Sequence, residues 1–275
     1  MRQQFGICEW SFPVSAPLAI QLAKKAGYDG IQLGECGGRK MGYPLNQPYV
    51  QEAYLESAAS CGLTLHSLNL GALLAEGTLN APRNTPEFDY ARRSLLNGFS
   101  VCEELSIPVI VLTLDPQAAD AEESVCAHLE YAAALAADAG VEIAVESALP
   151  LPRIQQLLEQ SDPSIKVCMD LLNPLRFKTG NPQEQILAFG RDKISHFHMK
   201  DSRASLFAPG QRGCVPLGEG DGEYTQSVQC IRSLSYEGWM ITENYYYLPP
   251  MSDEGDDFLF FAKRDLATMK RSFAI

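Results

Sequence analysis

The segment Ile194-Ser195-His196-Phe197-His198-Met199-Lys200-Asp201 is an apolar strand that turns polar where it ends, and it guides the interpretation of the whole chain. Two of the four histidines lie here, two positions apart. Side chains alternate between the faces of a strand, so His196 and His198 point to the same side. An isolated His-x-His of this kind is more often a pair of core histidines than a binding site. It becomes a candidate site only if acidic residues from elsewhere converge on it.

The same strand pattern recurs along the chain, and each strand is followed by a segment with helical spacing. The predicted strands are residues 5–10, 28–33, 63–70, 107–113, 141–146, 165–170, 194–199 and 238–243. Nearly continuous apolar strands that alternate with helices are typical of a parallel sheet covered by helices. Eight such units without a linker predict one α/β domain, a single (β/α)8 TIM barrel over residues 1–275. A doubly wound open sheet is the alternative, but no Gly-x-Gly-x-x-Gly follows the first strand.

Composition restricts the partners of this chain. Its formal net charge is −12, and an acidic surface repels nucleic-acid phosphates and anionic lipid. No apolar run approaches the roughly 20 residues of a membrane-spanning helix, and no signal-peptide core is present. The eight cysteines are dispersed without a Cys-x-x-Cys pair, which is typical of reduced thiols. We expect a cytoplasmic protein with a small-molecule partner and neither nucleic acid nor membrane; a homo-oligomer is left open.

Four consecutive strands end in an ionisable residue: Glu146, Asp170, His198 and Glu243. The C-terminal ends of the strands ring the active site of a (β/α)8 barrel, so these residues are expected to meet at one rim. Burying three carboxylates together is costly unless a cation neutralises them. Oxygen ligands around one imidazole suit a divalent ion, with Mn²⁺ favoured and Co²⁺, Mg²⁺ or Zn²⁺ as alternatives.

At this point the chain resembles a known family, the sugar-phosphate isomerases/epimerases of the xylose isomerase-like TIM barrels, over nearly its whole length. The most specific matching motifs are His-Phe-His-Met-Lys-Asp (196–201), Leu-Gly-Glu-Gly-Asp (217–221) and Gly-Trp-Met-Ile-Thr-Glu-Asn (238–244). The resemblance to its ketose 3-epimerases implies that the four strand-end residues bind one divalent metal ion. It also implies that Glu146 and Glu243 act as the acid/base pair.

The chain departs from this family in one respect that bears on the substrate. Many members carry a histidine three residues after the aspartate of the sixth strand, where this chain has Asn173. An asparagine can hydrogen-bond a sugar hydroxyl but cannot carry a proton. The related epimerases also carry an arginine after the histidine of the seventh strand, and Arg203 is its nearest candidate in this chain. The zinc endonucleases of the superfamily need more histidines than this chain holds.

These features predict a metal-dependent isomerase that epimerises a ketose, or a ketose phosphate, at C3. The metal ion would stabilise an enediolate, while Glu146 and Glu243 remove and return a proton on opposite faces. Two alternatives use the same site: dehydration of a keto-polyol such as an inosose, which is a lyase reaction, and aldose–ketose isomerisation. A non-enzymatic sugar-binding module is the remaining alternative.

Further residues near the strand ends are candidate substrate contacts: Glu9, Trp10, Gln32, Glu35, His66, Asn173, Arg203 and Glu219. The Trp10 ring could stack on a sugar, although simple packing explains it equally well. His66 is more typical of a partly buried core histidine.

Further roles are predicted for residues in and next to the seventh strand. Lys200 and Asp201 are expected to form a local ion pair or to contact substrate. Gly218 and Gly220, with neighbouring arginines, could hold a phosphate or form a lid over a neutral sugar. His196, one layer below His198, is expected to support the metal ligand.

Overall fold

The computed structural model describes residues 3–34, 42–71, 73, 76–208, 210–254 and 257–273. Eight parallel strands close into one barrel in sequence order, and the last strand pairs with the first. The strands are β1 Gln4–Cys8, β2 Gly30–Leu33, β3 Thr64–Asn69, β4 Val109–Leu114, β5 Glu142–Ser147, β6 Lys166–Asp170, β7 Ile194–Met199 and β8 Trp239–Thr242. The predicted (β/α)8 barrel is confirmed.

Helices surround the barrel. They are α1 Leu18–Ala26, α2 Pro48–Cys61, α3 Pro86–Glu104, α4 Glu122–Ala139, α5 Leu151–Ser161, α6 Asn173–Arg176, α7 Pro182–Lys193, α8 Tyr224–Ser233 and α9 Phe258–Phe273. Thr85 and Asn181 cap the starts of α3 and α7 by accepting backbone hydrogen bonds from Phe88 and Glu184. In the described part of the chain, no helix is long and apolar enough to cross a membrane.

Two local features differ from the sequence prediction. Glu9 and Trp10, expected at the end of the first strand, belong to a 3₁₀ turn over Glu9–Ser11. The sequence pattern predicted no helix directly after β6, where the structure has the short helix α6. The cause lies in Asp170, whose Oδ1 accepts hydrogen bonds from the backbone nitrogens of Leu172 and Asn173 at 2.7 and 2.6 Å. This carboxylate bends the chain into a helical turn as soon as the strand ends.

Side chains fill the barrel below its C-terminal rim. The Trp239 ring lies 4.6 Å from the His66 ring, which is 5.0 Å from His196. Gly30 makes room for this layer, because a Cβ there would lie 2.6 Å from the indole of Trp239. The layer closes the barrel from below, so polar side chains of the next layer face the rim.

Candidate active site

The four strand-end residues come together at the rim. One ligand atom from each of Glu146, Asp170, His198 and Glu243 lies within 4.8 Å of the others. All four side chains are buried. His198 Nδ1 is 3.1 Å from Glu243 Oε2 and 3.7 Å from Glu146 Oε1. We call this group the carboxylate–histidine cluster.

Gln32 orients the histidine of the cluster. Its Oε1 lies 2.9 Å from His198 Nε2, and both side chains are fully buried. An amide oxygen only accepts hydrogen bonds, so Nε2 of His198 carries a proton and donates it to Gln32. Nδ1 is thereby turned towards the carboxylates of Glu146 and Glu243, which is the orientation a metal-binding imidazole requires.

Each carboxylate of the cluster is also held by neighbouring side chains or backbone. Asn173 Nδ2 donates to Glu146 Oε1 at 2.9 Å. Trp10 Nε1 donates to Glu243 Oε1 at 3.1 Å. For Asp170, the backbone nitrogens at the start of α6 bind Oδ1. These contacts fix the rotamers of the acids before any ligand arrives.

The ligand atoms that face inwards fit a metal ion. Asp170 Oδ2, His198 Nδ1 and Glu243 Oε2 are buried, and their close contacts in the described part of the chain are with one another and with Lys200 Nζ. Buried carboxylates packed this closely repel one another, and one divalent cation could bind all three atoms. Three carboxylates and one imidazole are a donor set that Mn²⁺, Co²⁺, Mg²⁺ or Zn²⁺ can accept. The cluster could therefore hold one divalent ion.

Lys200 adds a positive charge beside the cluster. Its Nζ lies 2.9 Å from Asp170 Oδ2 and 2.6 Å from Glu243 Oε2, and the side chain is buried. Burial raises the pKa of Asp170 above its usual value. Burial acts in the same direction on Glu243, but Lys200 and His198 outweigh it and hold the pKa of Glu243 well below its usual range. Glu243 is therefore an ionised carboxylate, as a general base must be.

Of the predicted substrate contacts, Trp10 and Asn173 lie against the cluster. A cavity of about 580 Å³ opens beside Trp10 and is lined by aromatic and aliphatic residues that include Phe12, Tyr54 and Tyr247. A volume of this size accommodates a small molecule such as a sugar. Trp10 therefore joins the cavity to Glu243.

Glu9 and His66 have structural partners instead. The two carboxylate oxygens of Glu9 accept hydrogen bonds from the backbone of Ala16 at 2.7 Å and of Gly34 at 2.8 Å. His66 packs against the aromatic floor of the barrel. Burial, with a smaller contribution from His198, lowers the pKa of His66 to about 3, so its imidazole is neutral. Glu35 lies outside the described residues.

Neither Arg203 nor Glu219 forms a described contact with the cluster. The Arg203 side chain is exposed, and Glu219 forms a surface ion pair with Arg264 of α9. The backbone amides of the glycine loop are likewise engaged, because Asp201 accepts hydrogen bonds from Gly218, Gly220 and Gly222, as well as from Ser202. These amides anchor the loop to β7, so they are not directed at a phosphate.

Two residues have roles that the sequence pattern did not predict. Gln32 was expected only to contact sugar hydroxyls, and Lys200 was expected to form a local ion pair or to contact substrate, not to pair with the acids of β6 and β8. A signal for Gln32 was present, because it is a polar side chain inside an apolar strand. Such a residue needs a buried partner.

Comparison with known proteins agrees with the fold. Residues 20–262 match the family described as xylose isomerase-like TIM barrel, and the chain belongs to this family. A curated relative, the 2-epi-5-epi-valiolone 7-phosphate 2-epimerase of Actinoplanes sp., is 27% identical over 240 residues, which cover 84% of this chain and 83% of the relative. The predicted enzyme class, an isomerase or epimerase, is confirmed.

Solved structures share the fold at low sequence identity. The D-allulose 3-epimerase from Methylomonas sp., solved in complex with D-allulose, is 18% identical, with a TM-score of 0.75 over 99% of this chain and 98% of its own. The IolI protein, solved with a bound zinc atom, is 14% identical, with a TM-score of 0.76 over 99% of this chain and all of its own. At these identities the likeness establishes the fold alone.

Proposed function

We propose that this enzyme epimerises a ketose, or a ketose phosphate, at C3, with one divalent metal ion held by Glu146, Asp170, His198 and Glu243. One observation supports this most strongly. Two buried carboxylates from non-neighbouring strands, Glu146 and Glu243, both lie within 3.7 Å of the same imidazole nitrogen. Epimerisation needs two acid/base groups that reach one carbon from opposite sides, and this pair can supply them.

The bound ion would polarise the carbonyl and stabilise the negative charge that develops on the sugar oxygens. Glu243, which is held ionised, takes the proton from C3, and the C–H electron pair moves into the enediolate. Glu146 in its acid form returns a proton to the opposite face of the same carbon. No atoms are gained or lost; only the configuration at C3 changes.

Neighbouring residues keep the two glutamates in position for this exchange. Asn173 donates to Glu146 and Trp10 donates to Glu243, so each acid keeps a fixed orientation. Asn173 acts here by hydrogen bonding alone, because an amide carries no transferable proton at neutral pH. The Trp10 indole also covers one side of the cavity, where a sugar ring could stack.

A second candidate function comes from the curated relative, which is named as an epimerase of a phosphorylated substrate at C2. The same two glutamates could exchange a proton beside the carbonyl of a keto-polyol phosphate. Loss of water from a keto-polyol, the lyase alternative, would begin with the same proton removal and end with a leaving hydroxyl.

A substrate panel separates these possibilities. The protein, loaded with Mn²⁺, is incubated with ketoses, ketose phosphates and an inosose, and the products are analysed by NMR and mass spectrometry. The proposal predicts a C3 epimer of unchanged mass. A product that has lost water would assign the enzyme to the lyases. Epimerisation of the inosose alone would favour the second candidate, epimerisation of a keto-polyol. Glu243→Gln serves as the inactive control.

A further inference from the structure

Lys200 contacts the oxygens that a metal ion would need, not the outer oxygens of the same acids. Its Nζ reaches Asp170 Oδ2 and Glu243 Oε2 at 2.9 and 2.6 Å. The opposite oxygens, Asp170 Oδ1 and Glu243 Oε1, are bound by the backbone of α6 and by Trp10. Lys200 is therefore directed at the two inward oxygens that a metal ion would contact.

The ammonium lies to one side of the cluster. Among the described residues, Lys200 pairs with Asp170 and Glu243, whereas Glu146 pairs with His198 and not with Lys200. A cation in the middle of the four ligand atoms would contact all of them. Lys200 therefore shares two oxygens with the metal position without filling it.

The backbone around Lys200 is firmly held. The next residue, Asp201, donates its N–H to Asn244 Oδ1 at 3.1 Å, and its carboxylate accepts several backbone hydrogen bonds. Asn244 follows Glu243 directly and also donates to Asp265 on α9 at 2.8 Å. The ends of β7 and β8 are thus tied together, and Lys200 stays opposite Glu243.

The charges suggest why the enzyme keeps this lysine. When His198 is neutral, as a metal ligand must be, and the three carboxylates are ionised, the cluster and the ammonium together carry a charge of −2, which one divalent ion cancels. Without Lys200, three buried negative charges would face one another, and mutual repulsion would destabilise the metal-free protein. With Lys200 in place, the bound ion has a positive neighbour that repels it.

We propose that Lys200 is a fixed countercharge that holds the empty cluster together and weakens metal binding by competing for two ligand oxygens. This inference rests on the proposed function, because it presupposes that the cluster binds a divalent ion. It adds that the affinity for the ion is set by a residue that is not itself a ligand. The same countercharge lets the protein fold before it acquires metal.

The test compares Lys200→Met and Lys200→Gln with wild type. The dissociation constant for Mn²⁺ is measured by competition with a chelator, and the Tm is measured with excess EDTA and with saturating Mn²⁺. Both variants should bind Mn²⁺ at least about tenfold more tightly, because Coulomb repulsion from the ammonium is gone. Their Tm in EDTA should fall, and the rise on adding Mn²⁺ should exceed that of wild type.

Lys166→Met is the matched control. Lys166 forms a similar ion pair, with Glu142 at 2.7 Å, but it lies at the N-terminal end of the barrel. Its loss should leave the Mn²⁺ dissociation constant unchanged. If the Lys200 variants fold poorly, purification in Mn²⁺ keeps them folded, and EDTA should then unfold them at a temperature where wild type remains native.

Two results would overturn the inference: Mn²⁺ affinity and EDTA Tm equal to wild type in the Lys200 variants, or weaker Mn²⁺ binding in them. The second result would show that Lys200 helps to orient the ligands for the ion. A wild-type protein that binds no Mn²⁺ would instead contradict the proposed metal-dependent function itself.

Discussion

Gln32 Oε1 and His198 Nε2 meet inside the barrel at 2.9 Å, and this contact determines which imidazole nitrogen faces the carboxylates. The two residues are 166 positions apart in the chain. Gln32 has no place in the cluster itself, yet it fixes the tautomer and the ring orientation of the histidine.

Replacing Gln32 by Met should therefore weaken metal binding without unfolding the protein. Methionine fills a similar volume but cannot accept the proton of Nε2, so the imidazole loses its fixed tautomer. We expect the affinity for Mn²⁺ to fall by about 10- to 100-fold, measured by chelator competition. Gln185→Met is the control, because Gln185 is buried on α7 away from the cluster. Equal Mn²⁺ affinity in wild type and Gln32→Met would contradict this role.

Asp201 should matter for stability. Its buried carboxylate accepts backbone hydrogen bonds from Ser202, Gly218, Gly220 and Gly222. Alanine at position 201 leaves these donors unsatisfied, and we expect the free energy of unfolding to fall by about 3 kcal/mol, measured by urea denaturation.

The partly exposed Asp162 offers a control for this change. Asp162 also accepts a backbone hydrogen bond, from Ser164 at 2.8 Å, but at the surface, where water can replace it. Asp162→Ala should lower the free energy of unfolding by less than about 1 kcal/mol. If both alanine variants lost the same small amount, Asp201 would not be the anchor of the glycine loop.

His66 should make the stability of the fold sensitive to acid. Its pKa is about 3 in the folded protein, because burial disfavours the charged imidazole. The unfolded chain takes up a proton first, so the stabilisation from the neutral imidazole is complete above the unfolded pKa of about 6.5 and is lost as the pH falls. The loss is about 1.4 kcal/mol per pH unit.

The variant His66→Phe isolates this contribution, since phenylalanine keeps a ring against Trp239 but does not titrate. Between about pH 6.5 and about pH 4.5, wild type should lose roughly 2–3 kcal/mol more stability than the variant. Urea denaturation at several pH values measures the two slopes. Parallel slopes would show that His66 is protonated in the folded state or is not buried as described.

The barrel and the four residues of the cluster could be foreseen because both depend on a local pattern. Each strand is an apolar run, and in strands β5 to β8 the run closes with, or just before, Glu146, Asp170, His198 or Glu243. Parallel strands in a closed barrel bring such ends to one rim, whatever the loops do. The spatial grouping therefore follows from the order of the strands.

The partners of individual side chains could not be foreseen in the same way. Glu9 was expected to contact substrate, but the 3₁₀ turn that contains it directs its carboxylate to the backbone of Ala16 and Gly34. Glu219 pairs with Arg264, which lies on the last helix. Both outcomes depend on contacts between distant segments, and no spacing within a short motif encodes them.

The most direct measurement of the central claim is the transfer of solvent deuterium to C3 of a ketose substrate, followed by NMR in D₂O with Mn²⁺ present. The wild-type enzyme should form the C3 epimer with deuterium at C3, and Glu146→Gln and Glu243→Gln should each reduce the rate of epimer formation at least about a hundredfold. Glu142→Gln, on the same strand as Glu146 but at the far end of the barrel, should exchange normally. Formation of the deuterated epimer at the wild-type rate in either of the first two variants would contradict the assignment of Glu146 and Glu243 as the acid/base pair.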